Sequence, residues 1–147
     1  MSDFAAMNGL YLEDLKVGMS AMFGKTVTEA DIMAYAGVSG DTNPIHLHDG
    51  FAKSTRFGQR IAHGMLSAGF ISAVIGTRLP GPGSIYVSQT LSFMAPVLIG
   101  ETITAVATIT AIDEKRRRVT LKTQCLNGDK VVVDGEATIL VPRRDAA

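Results

Sequence analysis

Ten residues, Ser39 to His48 (SGDTNPIHLH), hold an acid, an amide, a proline and two of the chain's three histidines. Three kinds of chemistry are open to them. In extended conformation His46 and His48 would present both imidazoles to one face, as a zinc site can require. Asp41, Asp49 or His63 would then have to supply a third ligand, and the spacing matches no standard zinc pattern. In the second reading Asp41 and Asn43 make side-chain turns to nearby amides, and His46 is a satisfied buried histidine. The third is proton transfer. An Asp and a His five positions apart on a proline-stiffened loop can be aimed at one water, since His titrates near ~6.5 and burial raises an Asp. His63-Gly64 adds a presumed helix start, whose free N–H groups and positive dipole end suit a developing oxyanion. A proton-handling pair beside an oxyanion site points to chemistry next to a carbonyl.

These side chains need elements to position them. Thr28 followed by Glu29-Ala30-Asp31 is a helix start, with a side-chain cap and acids in the first turn. Ile32, Met33, Tyr35 and Ala36 supply its apolar face, and Gly37 and Gly40 end it. Pro44 forbids a continuing helix, so residues 41–47 are expected as a loop or a short extended piece. A second short helix is expected over 49–56, stopped near Gly58. Residues 62–76 (AHGMLSAGFISAVIG) are apolar all round, which predicts a helix buried on every side. Gly64, Ala68, Ser72 and Gly76 fall four apart and make a ridge of small side chains, open to close approach by another backbone or a ligand.

After Gly83 the apolar period switches to two. Ile85 to Phe93, Ile103 to Ala111, Val119 to Cys125 and Val131 to Val141 each alternate, and FGKTVT (23–28) is a candidate fifth strand. Asn127-Gly128 between the last two is a tight-hairpin signal. Helices in a block followed by strands in a block mean α+β, with a buried helix on an antiparallel sheet that curls round it.

At 147 residues the chain fits a single domain, residues 1–147, and its 46% apolar and 19% charged content is that of a globular protein. Net charge is zero, so the molecule as a whole exerts no pull on nucleic acid or on an anionic membrane. Cys125, the single cysteine, has no internal disulfide partner. The start MSDFAAMNG carries no basic cluster. The apolar helical run from Ile61 to Thr77 falls short of the ~20 residues that span a bilayer. A soluble cytoplasmic protein is the expectation.

The stretch from Tyr35 to Ser72, built round D-T-N-P-I-H, resembles the signature of the MaoC-like R-specific enoyl-CoA hydratases, and LPGPGSIYVSQTLSFMAPVLIGE (79–101) resembles the same family's following segment. Similarity runs from about Leu15 to Val141. The resemblance implies a hot-dog fold, a curved antiparallel sheet wrapped on a long central helix. It implies addition of water across the trans-2 double bond of an enoyl-CoA to give the R-3-hydroxyacyl-CoA, with no cofactor and no metal. It puts the catalytic pair on Asp41 and His46, with His46 as base and Asp41 as partner or proton donor. The amide of Gly64 would bind the thioester oxygen, with His63 beside it in the oxyanion and substrate-binding set; Asn43 would brace the loop, and Ser72 would line the acyl pocket. It also implies a homodimer.

Outside the motif, DEKRRR (113–118) reads as a solvated hairpin turn, while Arg56, Arg60 and Arg78 are better placed to meet CoA phosphates. Met7, Met19, Met22, Met33, Met65 and Met94 read as gap-filling core or entrance residues, and Cys125 as core. A hot-dog thioesterase and a non-catalytic acyl-CoA binding module are the competing functions.

Overall fold

The computed structural model describes residues 3–146. Two short 3-10 turns, Asp3–Met7 and Leu12–Asp14, lead into strand β1 (Ser20–Thr26). Helices α1 (Glu29–Ser39), α2 (Pro44–Leu47), α3 (Asp49–Lys53) and α4 (Gly64–Thr77) follow. Strands β2 (Ile85–Phe93), β3 (Thr102–Asp113), β4 (Arg118–Asn127) and β5 (Lys130–Leu140) complete the main elements. All strand pairs are antiparallel, in the order β1-β3-β4-β5-β2. The sheet packs on α4, and this α+β arrangement is the hot-dog fold.

Local sequence explains most boundaries. Thr28 and Asp31 form a reciprocal capping box at the start of α1, and Lys25 pairs with Asp31 at 2.6 Å. Gly40, at φ 79°, ends α1 in the left-handed region, where a Cβ would be strained; Gly37 lies inside the helix instead. The expected short helix over 49–56 is α3, which keeps only Asp49–Lys53. The expected loop at 41–47 is also corrected. Pro44 does not bar a helix here but starts one, occupying the first turn, where its missing N–H has no partner to lose.

Inward side chains alternate along β3 (Ile103, Ala105, Ala107, Ile109) and β4 (Val119, Leu121, Thr123, Cys125), all buried. A register shift after Ile109 turns Ala111 outward and brings Ile112 against the core. Another shift, between Cys125 and Leu126, lets both Val132 and Val133 face inward. Against this sheet α4 buries Phe70, Ile71, Val74 and Ile75. Full burial of each of the aliphatic three is worth about 1.5–3 kcal/mol.

The expectation that α4 is buried on every side does not hold within one chain. Gly64, Met65, Gly69, Ser72 and Gly76 lie on an exposed face, because a five-stranded sheet reaches round only part of the helix. The edge strand β2 likewise leaves Ile85, Val87 and Phe93 exposed.

Candidate active site

The loop between α1 and α2 is built from local side-chain turns. Ser39 Oγ accepts from the Asp41 amide at 3.1 Å, and Asp41 Oδ1 accepts from the Asn43 amide at 3.3 Å. Asn43 Oδ1 caps α2 through the Ile45 amide at 3.1 Å. Asn43 therefore takes part in the loop's local turns and does not line the cleft, so it is not placed to bind substrate.

Because α2 is helical, His46 and His48 point apart. His48 caps α3, accepting the Phe51 amide at 3.0 Å, so it takes no part in a two-histidine face. His46 turns inward, 8% exposed, with Nδ1 2.8 Å from the Ile61 carbonyl oxygen. A carbonyl only accepts, so Nδ1 carries the proton and Nε2 keeps its lone pair. Burial holds the His46 imidazole below its ordinary range. The bond to Ile61 opposes this, while nearby His63 lowers the value further and Asp41 raises it.

Across from this pair stands the N-terminus of α4. His63 occupies the N-cap position without making a side-chain cap bond. The Leu66 N–H donates to the His63 carbonyl at 3.1 Å, while no side chain caps the turn, so the Gly64 N–H at the positive end of the helix can meet an anionic oxygen. A Cβ on residue 64 would sit 2.6 Å from the Phe93 ring, so only glycine lets that ring lie over the helix tip. His63 is 1% exposed, donates from Nε2 to the Asp41 carbonyl at 2.9 Å, and packs on the His46 ring at a centroid distance of 3.9 Å.

Asp41, His46, His63 and Gly64 share the wall of one cleft of about 380 Å³, a size that suits a small-molecule site. Ser67, Phe93, Met94 and Val133 line it too. Asp41, His46 and His63 each offer one donor atom within 4.8 Å of the others, the only such trio among the described residues. A cation would have to enlist these three. The two imidazoles stack at 32° to each other rather than fanning round a common point.

Several expected contributors sit elsewhere. Ser72 is exposed and outside the cleft. Ser67 lies inside it, one turn after His63 on the same helical face, and that four-residue spacing was the signal available for finding it. Of the three arginines only Arg56 lines the cleft. Arg60 is tied down, donating from Nε to the His46 carbonyl at 2.6 Å and pairing with Glu29 at 2.9 Å. Arg78 donates to the Met22 carbonyl and lies over the Phe23 ring. DEKRRR spans the β3–β4 turn, as expected. Met65 and Met94 stand at the cleft mouth and Met19 packs on the core, but Met7, Met22 and Met33 are exposed and fill no gap. Cys125 is core: its thiol donates to the Ser67 carbonyl, and burial pushes it up to about 12.

Known proteins resemble this chain over most of its length. The (R)-specific enoyl-CoA hydratase of Rhodospirillum rubrum is 57% identical over 91% of this chain and 93% of its own length. The 3-hydroxybutyryl-CoA dehydratase of Methylorubrum extorquens is 49% identical over 94% of this chain and 88% of its own. The structure of the unliganded R-hydratase from Pseudomonas aeruginosa superposes with a TM-score of 0.88 at 42% identity, covering 94% of this chain and 89% of that one. With residues 15–129 matching the MaoC like domain as well, the chain belongs to the MaoC-like family.

Proposed function

We propose that this protein is a hydro-lyase that adds water to trans-2-enoyl-CoA, giving the R-3-hydroxyacyl-CoA, and catalyses the reverse dehydration. The observation that carries the reading is that donor atoms of Asp41 and His46 lie within 4.8 Å of each other in the cleft that Gly64 lines at the α4 N-terminus, with the His46 Nδ1 proton on the Ile61 carbonyl. In this mechanism Nε2 takes one proton from a water that Asp41 helps to hold. The hydroxide portion bonds to the β-carbon, and the π-electrons shift toward the thioester oxygen. The Gly64 N–H meets the negative charge that builds there. A proton returned by the Asp41–His46 pair to the α-carbon completes the addition, so the enzyme ends as it began. The reaction needs only water and the thioester, with no cofactor or metal. Names of two relatives that are 57% and 49% identical support the substrate class, and Arg56 at the cleft is the candidate for a CoA phosphate contact.

A second copy of this chain is the proposed cover for the exposed face of α4. Strand β2 is a free edge carrying apolar side chains, and an antiparallel edge can pair with its own copy about a two-fold axis. The small-residue ridge, Ser72 included, would then lie against the partner. No helix among the described residues is long and apolar enough to cross a membrane; a cytoplasmic location is part of the proposal.

Incubation with crotonyl-CoA tests the activity. A hydratase removes the conjugated enoyl absorbance without freeing thiol, and the product is the R isomer. Release of CoA thiol would instead indicate a thioesterase. Equal, slow rates from the wild type and an Asp41→Asn, His46→Gln double variant would indicate a non-catalytic binding module.

A further inference from the structure

We infer that His63 is a positioning residue for the hydration reaction, one that fixes the Asp41 backbone and backs the His46 ring without touching the substrate. The inference rests on the hydratase reading above.

Two segments far apart in sequence, 41–46 and 61–63, are laced together by two imidazoles and by one backbone bond, from the Ile61 N–H to the Ile45 carbonyl at 3.3 Å. His46 donates from Nδ1 to the carbonyl of Ile61, two residues before His63. His63 donates from Nε2 to the carbonyl of Asp41, five residues before His46. Each histidine thus fastens the segment that carries the other, and their rings stack at the crossing. Tyr35, from α1, closes the far side of His63 at a centroid distance of 4.7 Å. Every other bond to the Asp41 loop is local, from Ser39, Gly40 and Asn43. The His63 bond is what ties the catalytic carboxylate to the wall that presents the α4 N-terminus.

The cost of this arrangement is visible. With Nε2 donating to a carbonyl, Nδ1 of His63 holds a lone pair. It is buried without a hydrogen-bond partner, the one such side-chain atom among the described residues. Buried acceptors left unmatched are unfavourable and rare. What the residue supplies alongside that cost is the Nε2–H bond that fixes the Asp41 backbone.

The test compares His63→Gln, which keeps an N–H near the Nε2 position, with His63→Met, which keeps similar bulk and no donor. Both are assayed for crotonyl-CoA hydration beside the wild type, with folded fraction and Tm measured. The expected result is a kcat for His63→Met about 10²-fold below the wild type, the cost of roughly 1 Å of misplacement. KM should stay within about twofold, and the glutamine variant should recover most of the loss. Equal kcat values for the two variants, or a fall in Tm with kcat per folded molecule unchanged, would overturn the inference. A raised KM with intact kcat would make His63 a substrate-binding residue instead. Imidazole nitrogen NMR on the wild-type protein gives a check independent of variant folding: Nε2–H for His63 is required, and Nδ1–H refutes it. Wild-type inactivity would sink the hydratase reading itself; an active wild type with an equally active methionine variant sinks only this inference.

Discussion

A single methyl group at residue 64 probes the helix tip most directly. A Cβ there would stand 2.6 Å from both Cδ1 and Cε1 of Phe93, about 1 Å inside ordinary carbon–carbon contact. Either the ring or the first turn of α4 must move by that amount. Phe93 is 52% exposed and can swing, so the cost belongs at the lower end of the about 1–3 kcal/mol typical of overpacking. Alanine's better helix propensity, worth up to about 1 kcal/mol, works in the opposite direction. Stability should therefore change little in Gly64→Ala. Activity should not be spared: the N–H that meets the thioester oxygen, or the ring beside it, is displaced by about 1 Å, and such misplacement lowers the rate about 10²-fold. Denaturant unfolding and the crotonyl-CoA assay measure the two effects. Phe93→Ala provides the control, because in the double variant the added methyl meets no ring. A double-mutant cycle should then show strong positive coupling in kcat/KM, with Gly64→Ala almost silent when Phe93 is absent. A wild-type rate in Gly64→Ala, or the same defect with and without the Phe93 ring, would refute the reasoning.

Other outcomes follow from the same geometry. Burial depresses the His46 value, so the neutral base persists below pH ~6.5, and the acid limb of kcat/KM should lie below that pH. The accompanying stability term is present above the unfolded value of ~6.5 and is lost as pH falls from there through the folded value; a limb above 6.5 would contradict the assignment. Arg56→Ala should raise KM for the CoA ester at unchanged Tm. Arg60→Ala should do the reverse, losing about 1.5–3 kcal/mol of stability with its bond to the His46 carbonyl; interchanged effects would count against both roles. The protein should sediment as a dimer at micromolar concentration, and an Ile85→Glu, Val87→Glu double variant should dissociate it. A monomeric wild type would remove the proposed cover of α4.

Local chemistry made much of this protein legible from sequence. The Thr28 cap, the Gly40 stop, the apolar run of α4, the period-two strands and the Asn127-Gly128 hairpin each depend on residues within a turn or two of one another. The D-T-N-P-I-H motif likewise brings Asp41 and His46 within a few ångströms through short-range turns. Tertiary structure decided the rest. The tautomer of His46 depends on a carbonyl 15 residues away, and the anchoring of Asp41 on an imidazole 22 residues away; no periodicity encodes such distances. Arg60 was diverted from a ligand role by Glu29, 31 residues distant. Ser67 entered the cleft and Ser72 left it because the sheet covers one side of α4, and which side is fixed only when helix and sheet pack together.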